Sequence, residues 1–147
     1  MDPATLEAAF PQLVLDAIGS PFTAVGQVYV DDRPRRSTQA AAVCWIRPDG
    51  VRARPSGIGN VAEERVYVFH FTGQSQDART TVRGWVAKLR SYLHGGRRIT
   101  VSGYRKAEVG DEVVLPFGDD PLLGPVRGLA EVEVSVSFFG IGVGVTA

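Results

Sequence analysis

Apolar positions along the chain repeat with two periods, and the changes between them mark out its elements. In "DPATLEAAFPQLVLDAIG", Leu6, Phe10, Leu13, Val14, Ala17 and Ile18 recur at helical spacing. Asp2 is placed to cap this segment, Pro3 to open it and Gly19 to end it. Pro11 lacks an N–H and clashes with the preceding turn, which predicts an amphipathic helix that is kinked or split into two short ones.

A period of two follows. A short strand is expected around Gln27 to Val30, then a charged excursion from Asp31 to Ser37. "QAAAVCWIRPDG" reads as a mostly buried strand from Gln39 to Arg47 closed by a Pro-Asp-Gly turn, and "VRARPSGIGNVAEE" as an irregular loop or a mobile hairpin. In "ERVYVFHFTG", Tyr67, Phe69 and Phe71 fall on one face and Val66, Val68 and His70 on the other, which suits a central strand packed on two sides.

Past a polar loop, where Ser75 or Asp77 can cap, Val82, Trp85, Val86, Leu89 and Leu93 form one helical stripe ended by Gly95 and Gly96. A strand from Arg98 to Arg105, a turn near Gly110, a short strand through Val114 and a loop at "FGDDPLLGP" come next. In "LAEVEVSVSFF", Ala130, Val132, Val134, Val136 and Phe138 alternate with Glu131, Glu133, Ser135 and Ser137, the pattern of a long antiparallel strand with one wet face. The order of elements predicts an α+β fold: a mainly antiparallel sheet with two helices packed on one face.

The 147 residues suit a single domain spanning 1–147, with a flexible or partner-ordered tail near 140–147. Sixteen basic and sixteen acidic residues leave no global field toward nucleic acid or an anionic membrane. The basic side is nearly all arginine, lysine occurring only at Lys88 and Lys106. No apolar run reaches the roughly 18 residues of a membrane span. Cys44 is the single cysteine, which excludes an internal disulfide and a thiolate metal cluster.

The candidate chemistry is sparse. "TGQSQDART", after the central strand, has neither a phosphate-loop lysine nor a dinucleotide glycine pattern, so the strand–loop–helix unit reads as scaffold. His70 sits in an aromatic strand, and His94 in a last helical turn, where it can cap carbonyls; neither has a second ligand at metal spacing. Cys44 lies in a core-like strand, where a small buried hydrophobe is expected rather than a nucleophile. The acid pairs Asp31/Asp32, Glu63/Glu64, Asp111/Glu112 and Asp119/Asp120 lie in turns or at strand edges. No cofactor is expected and no catalytic residue is assigned, which favours a structural or interaction role.

The arrangement of "TLEAAFPQLVLDAI", then "RVYVFHF" followed by "DARTTVRGWVAKLRSYL", then "AEVEVSVSFFG" resembles the tail terminator, or tail completion, proteins of long-tailed bacteriophages. The resemblance covers nearly the whole chain and is one of order and pattern; the glycine-rich end "GIGVGVTA" has no assigned place in it. It implies a structural virion protein, assembled in the host cytoplasm and sited at the head-proximal end of the tail. It would form a ring, a hexamer, that caps the tail tube and meets the head connector, with DNA passing through its centre without specific binding.

Ring interfaces draw on buried apolar and arginine anchors. The candidates are Asp31, Asp32, Arg33, Arg35 and Arg36 in the charged loop and Arg52 and Arg54 in the next, while Glu131 and Glu133 are candidates to line the lumen. A head–tail connector is the neighbouring alternative. From other classes come a small enzyme using Cys44 or a converged carboxylate pair, and a ligand-binding module with its pocket between helix and sheet.

Overall fold

The computed structural model describes residues 3–30, 42–55, 60–74, 77–94, 103–114, 119–120, 124–125 and 129–143. Pro11 splits the N-terminal helical pattern as its chemistry demands, into α1, Pro3–Ala8, and α2, Phe10–Ile18. Gly19 ends α2 at φ 72°, a left-handed conformation that glycine adopts without strain, and its N–H reaches the Leu15 carbonyl at 2.9 Å. Asp2, expected to cap this segment, lies outside the described residues.

A 3-10 turn at Val25–Gln27 leads into β1, Val28–Val30. The Gln27 side chain knots this connection. Its carbonyl accepts from the Thr23 and Ala24 amides, both at 2.9 Å, and its amide donates to the Pro21 and Ala42 carbonyls.

Four long elements follow: β2, Ala42–Pro55; β3, Asn60–Gln74; α3, Ala78–His94; and β4, Tyr104–Val114. After the two-residue strands β5, Asp119–Asp120, and β6, Gly124–Pro125, which pair with each other, comes β7, Leu129–Val143. The main sheet runs β1-β2-β3-β7-β4. All its pairings are antiparallel except β1 with β2. The fold is α+β and mostly strand, and β3 is the central strand of the five.

Two expected turns are bulges instead. At Pro48-Asp49-Gly50 the register of β2 on β3 slips, and the strand continues to Pro55. At Gly110 the register of β4 on β7 slips between Val109 and Glu112, and the strand runs on to Val114. Aspartate and glycine relieve an extra residue in a ladder as readily as they make a reversal. Here the long partners β3 and β7 keep supplying hydrogen bonds past the irregularity, so the chain stays paired. Of the two readings of the segment 51–64, irregular loop or hairpin, the structure has the hairpin: Val51–Pro55 pairs antiparallel with Val61–Arg65, with positions 56–59 outside the described residues.

The core lies between one sheet face and the three helices. Phe10 meets Tyr67, Phe69 and Phe138 with ring centroids 4.8, 5.5 and 5.1 Å apart. Phe22 and Phe71 close on Trp85 of α3 at 5.0 and 6.4 Å. Off-parallel ring pairs of this kind contribute about 0.5–1.5 kcal/mol each beyond their burial. All five residues of the predicted α3 stripe are buried, together with Ala78. Gly73 of β3 lets α3 come close: a Cβ there would stand 2.5 Å from a Val82 methyl and 2.9 Å from the Trp85 ring.

Candidate functional site

The helices cover one side of the sheet, and among the described elements none packs on the other. This corrects the expectation of a central strand packed on two sides. The even-numbered positions of β3 carry His70 and Thr72 among valines, and these polar groups find partners on neighbouring strands instead of a second apolar layer. Register sets the pattern of this outer face. Tyr29, Trp45, His70, Glu133 and Val113 form one row across all five strands, and Arg47, Val68 and Ser135 form the next.

At the centre of the row, His70 Nδ1 lies 3.0 Å from Glu133 Oε1 and Nε2 lies 3.4 Å from Glu131 Oε1. Arg47 donates to the same Glu133 oxygen at 3.0 Å, with its guanidinium 5.0 Å from the Trp45 ring centre. Thr72 donates to Glu131 at 3.3 Å. Burial by itself disfavours the imidazolium of His70, but the hydrogen bonds and charges of Glu131 and Glu133 outweigh it and raise its pKa above the ordinary 6.5. Burial likewise works against ionised Glu133, and the bonds from His70 and Arg47 overcome it, bringing that carboxyl below the ordinary 4.5. Glu131 and Glu133 do alternate outward as the pattern predicts, yet each is met by a donor.

A second polar cluster sits on the helix side. Tyr104, fully buried, accepts from Arg65 Nε at 3.0 Å and donates to Glu63 Oε2 at 3.2 Å, and Arg65 and Glu63 form an ion pair. Gly140 of β7 lies opposite both Glu63 and Tyr104, so no side chain separates β3 from β4 there. Nothing in the spacing of these residues betrays the cluster, because it joins positions 39 and 41 apart.

Among the other candidates, Cys44 is fully buried opposite Val28 and Phe71, and burial pushes its thiol well above the ordinary 9.0. It offers no accessible thiolate. Glu63 and Glu64 occupy adjacent strand positions and so point to opposite faces. Glu112 pairs with Arg83 of α3 at 3.2 Å. No group of three His, Cys, Asp or Glu among the described residues could hold a metal. Among them, too, no helix is long and apolar enough to cross a membrane.

His94 does not cap its own helix. Its Nε2 accepts the Val109 N–H at 2.9 Å, while Arg90 donates to the Val109 and Gly110 carbonyls at 3.1 and 2.9 Å. The bulge in β4 turns these backbone groups outward, within reach of α3, and the two side chains guard the free edge of β4. Of the expected interface residues, Arg52 is exposed on β2 opposite Glu64, and Arg54 pairs with Ala62. Asp31, Asp32, Arg33, Arg35 and Arg36 lie outside the described residues.

No protein-family model and no curated protein matches this chain. Among solved structures it is similar to a chain of the virion of the native gene transfer agent particle, with a TM-score of 0.63 at 14% identity over 95% of this chain and 96% of that one. The two share one fold. A weaker likeness, at a TM-score of 0.47 and 13% identity, is to a chain of the sheath/tube terminator of the PVC extracellular contractile injection system in its extended state. It covers 95% of this chain and 57% of that one.

Proposed function

We propose that this protein is a structural virion component of a phage-like tail: a tail terminator whose copies form a ring, a hexamer, at the head-proximal end of the tail tube. The ring stops tube growth and presents a surface to the head connector, and DNA passes through its centre. The observation that carries this reading is the fold shared end to end with a chain of a gene transfer agent virion. The helix–sheet space is filled by aromatic rings, Cys44 is sealed in the core, and His70, Glu131 and Glu133 of the outer face are bonded to one another. That disposition supports a role in assembly over one in turnover. Arginine dominance and a sheet face on which no described element packs suit a protein that works by contact with its own copies and with tube subunits.

The test is negative-stain microscopy of the purified protein, alone and mixed with its tail-tube protein. Rings of six, and rings seated on tube ends, are the expected result. Particles that stay monomeric and leave tube length and ends unchanged would overturn the proposal.

A further inference from the structure

We propose that His94 is a proton-operated latch: neutral, it holds the last turn of α3 on the bulge of β4, and protonated, it releases the strand and turns to Glu108. The inference goes beyond the ring reading above and stands or falls separately from it.

The latch rests on the direction of one hydrogen bond. The Val109 N–H donates to His94 Nε2 at 2.9 Å. A ring nitrogen accepts only while its lone pair is free, so this imidazole is neutral and carries its proton on Nδ1. An imidazolium has two donors and no acceptor, and protonation at Nε2 therefore ends the bond. β4 is the last strand in the order of the main sheet, so no neighbouring strand on its outer side takes over the Val109 donor.

The charges around His94 favour a change of partner. Arg90 lies one turn earlier on α3 and donates to the Val109 and Gly110 carbonyls at 3.1 and 2.9 Å. Like charges at that helical spacing repel, which pushes a protonated His94 away from Arg90. Glu108 precedes Val109 on β4 and is exposed. The hydrogen bond and charge of Lys106 bring its carboxyl below the ordinary 4.5, and the charge of His94 acts in the same direction. Lys106 holds one Glu108 oxygen at 2.8 Å, and the second oxygen is there to receive the imidazolium.

The other elements packed on α3 offer no competing charge. β7 places Val136 and Ser137 opposite Val109 and Glu108. Asp16 of α2 accepts from Gln12 at 2.8 Å, and Glu63 and Arg65 of β3 are tied to each other and to Tyr104. On β4 itself, Arg105 and Asp111 are exposed, one of each sign. Exchange of one partner for another leaves overall stability nearly level, because Arg90 still ties α3 to the bulge. What changes is local: the outer edge of β4 gains a free backbone donor, the kind of group by which a sheet edge takes up another strand.

The experiment is amide hydrogen exchange by NMR on the full chain, with the Phe69 amide of the central strand as reference for the intact fold. From about pH 8 to about pH 5, the range in which imidazoles titrate, the Val109 protection factor falls about fivefold, the weight of one such hydrogen bond, while that of Phe69 holds. His94→Gln supplies a carbonyl oxygen that accepts at any pH, and Val109 protection then stays level over the same range. In Glu108→Gln the imidazolium loses its second partner, and the fall moves to lower pH.

Val109 protection that is flat in the parent, or that falls equally in His94→Gln, would overturn the inference. So would an unmoved transition in Glu108→Gln. The ring nitrogen shifts of His94 give a check that needs no variant: a neutral ring with its proton on Nε2 would overturn it directly.

Discussion

His70 and Glu133, 63 residues apart in sequence, face each other across β3 and β7 with Nδ1 and Oε1 separated by 3.0 Å. Arg47 from β2 binds the same oxygen, so one carboxylate ties three adjacent strands on the face opposite the helices. The sheet thus gains polar cross-links where no described element packs on it.

This clamp makes stability depend on pH from two directions. The pKa of His70 is raised in the folded state, so its contribution is fully present below the unfolded value of about 6.5 and is lost as pH rises through the folded one. The pKa of Glu133 is lowered, so its contribution is present above the unfolded carboxylate value of about 4.3 and is lost as pH falls through the folded one. Thermal melts of the parent should therefore peak between these limits, near pH 5–6. In His70→Gln the decline on the alkaline side should flatten, and an unchanged pH profile in that variant would refute the linkage.

Gly73→Ala should be among the most damaging single-atom changes. Its Cβ would collide with Val82 and Trp85, both buried in the seam between α3 and the sheet. Overpacking of this kind costs about 1–3 kcal/mol, and urea melts should show a lower midpoint with a similar slope. Gly50→Ala, where nothing stands within 4 Å, serves as the tolerant control.

Tyr104→Phe keeps the ring and removes the hydroxyl that bridges Arg65 and Glu63. Leaving polar partners short inside the structure costs about 1–3 kcal/mol, more than loss of an exposed hydroxyl would. Equilibrium denaturation of Tyr104→Phe beside Tyr29→Phe should place the larger loss at Tyr104.

Cys44 should resist modification in the native protein and react only as the chain opens, since burial both shields the sulfur and keeps it protonated. Thiol titration with and without denaturant checks this. Cys44→Ser should destabilise more than Cys44→Ala would by polarity alone, because a hydroxyl there enters an apolar setting. Rapid labelling without denaturant would place Cys44 outside the core.

Local physics made much of the architecture legible in the sequence. The break at Pro11, the stop at Gly19, the α3 stripe, the central aromatic strand and the alternation of the last strand all follow from backbone geometry or from a period, which neighbouring residues set among themselves. What misled was also local: Pro48-Asp49-Gly50 and Gly110-Asp111 have turn chemistry, and only the continuing partner strands made them bulges.

The site belongs to tertiary structure. His94 left its helix end for the Val109 amide because the bulge in β4 presented that amide. Glu133 became the partner of Arg47 and His70, and Tyr104 the bridge between Glu63 and Arg65, because strand order and register brought distant positions together. The sequence by itself determined the helices, the core of the central strand and the last strand, and the apolar faces of α3 and β7, since those are short-range properties of the chain. Only the tertiary structure decided which charges meet and which face of the sheet no described element covers, because both depend on contacts between segments far apart in sequence.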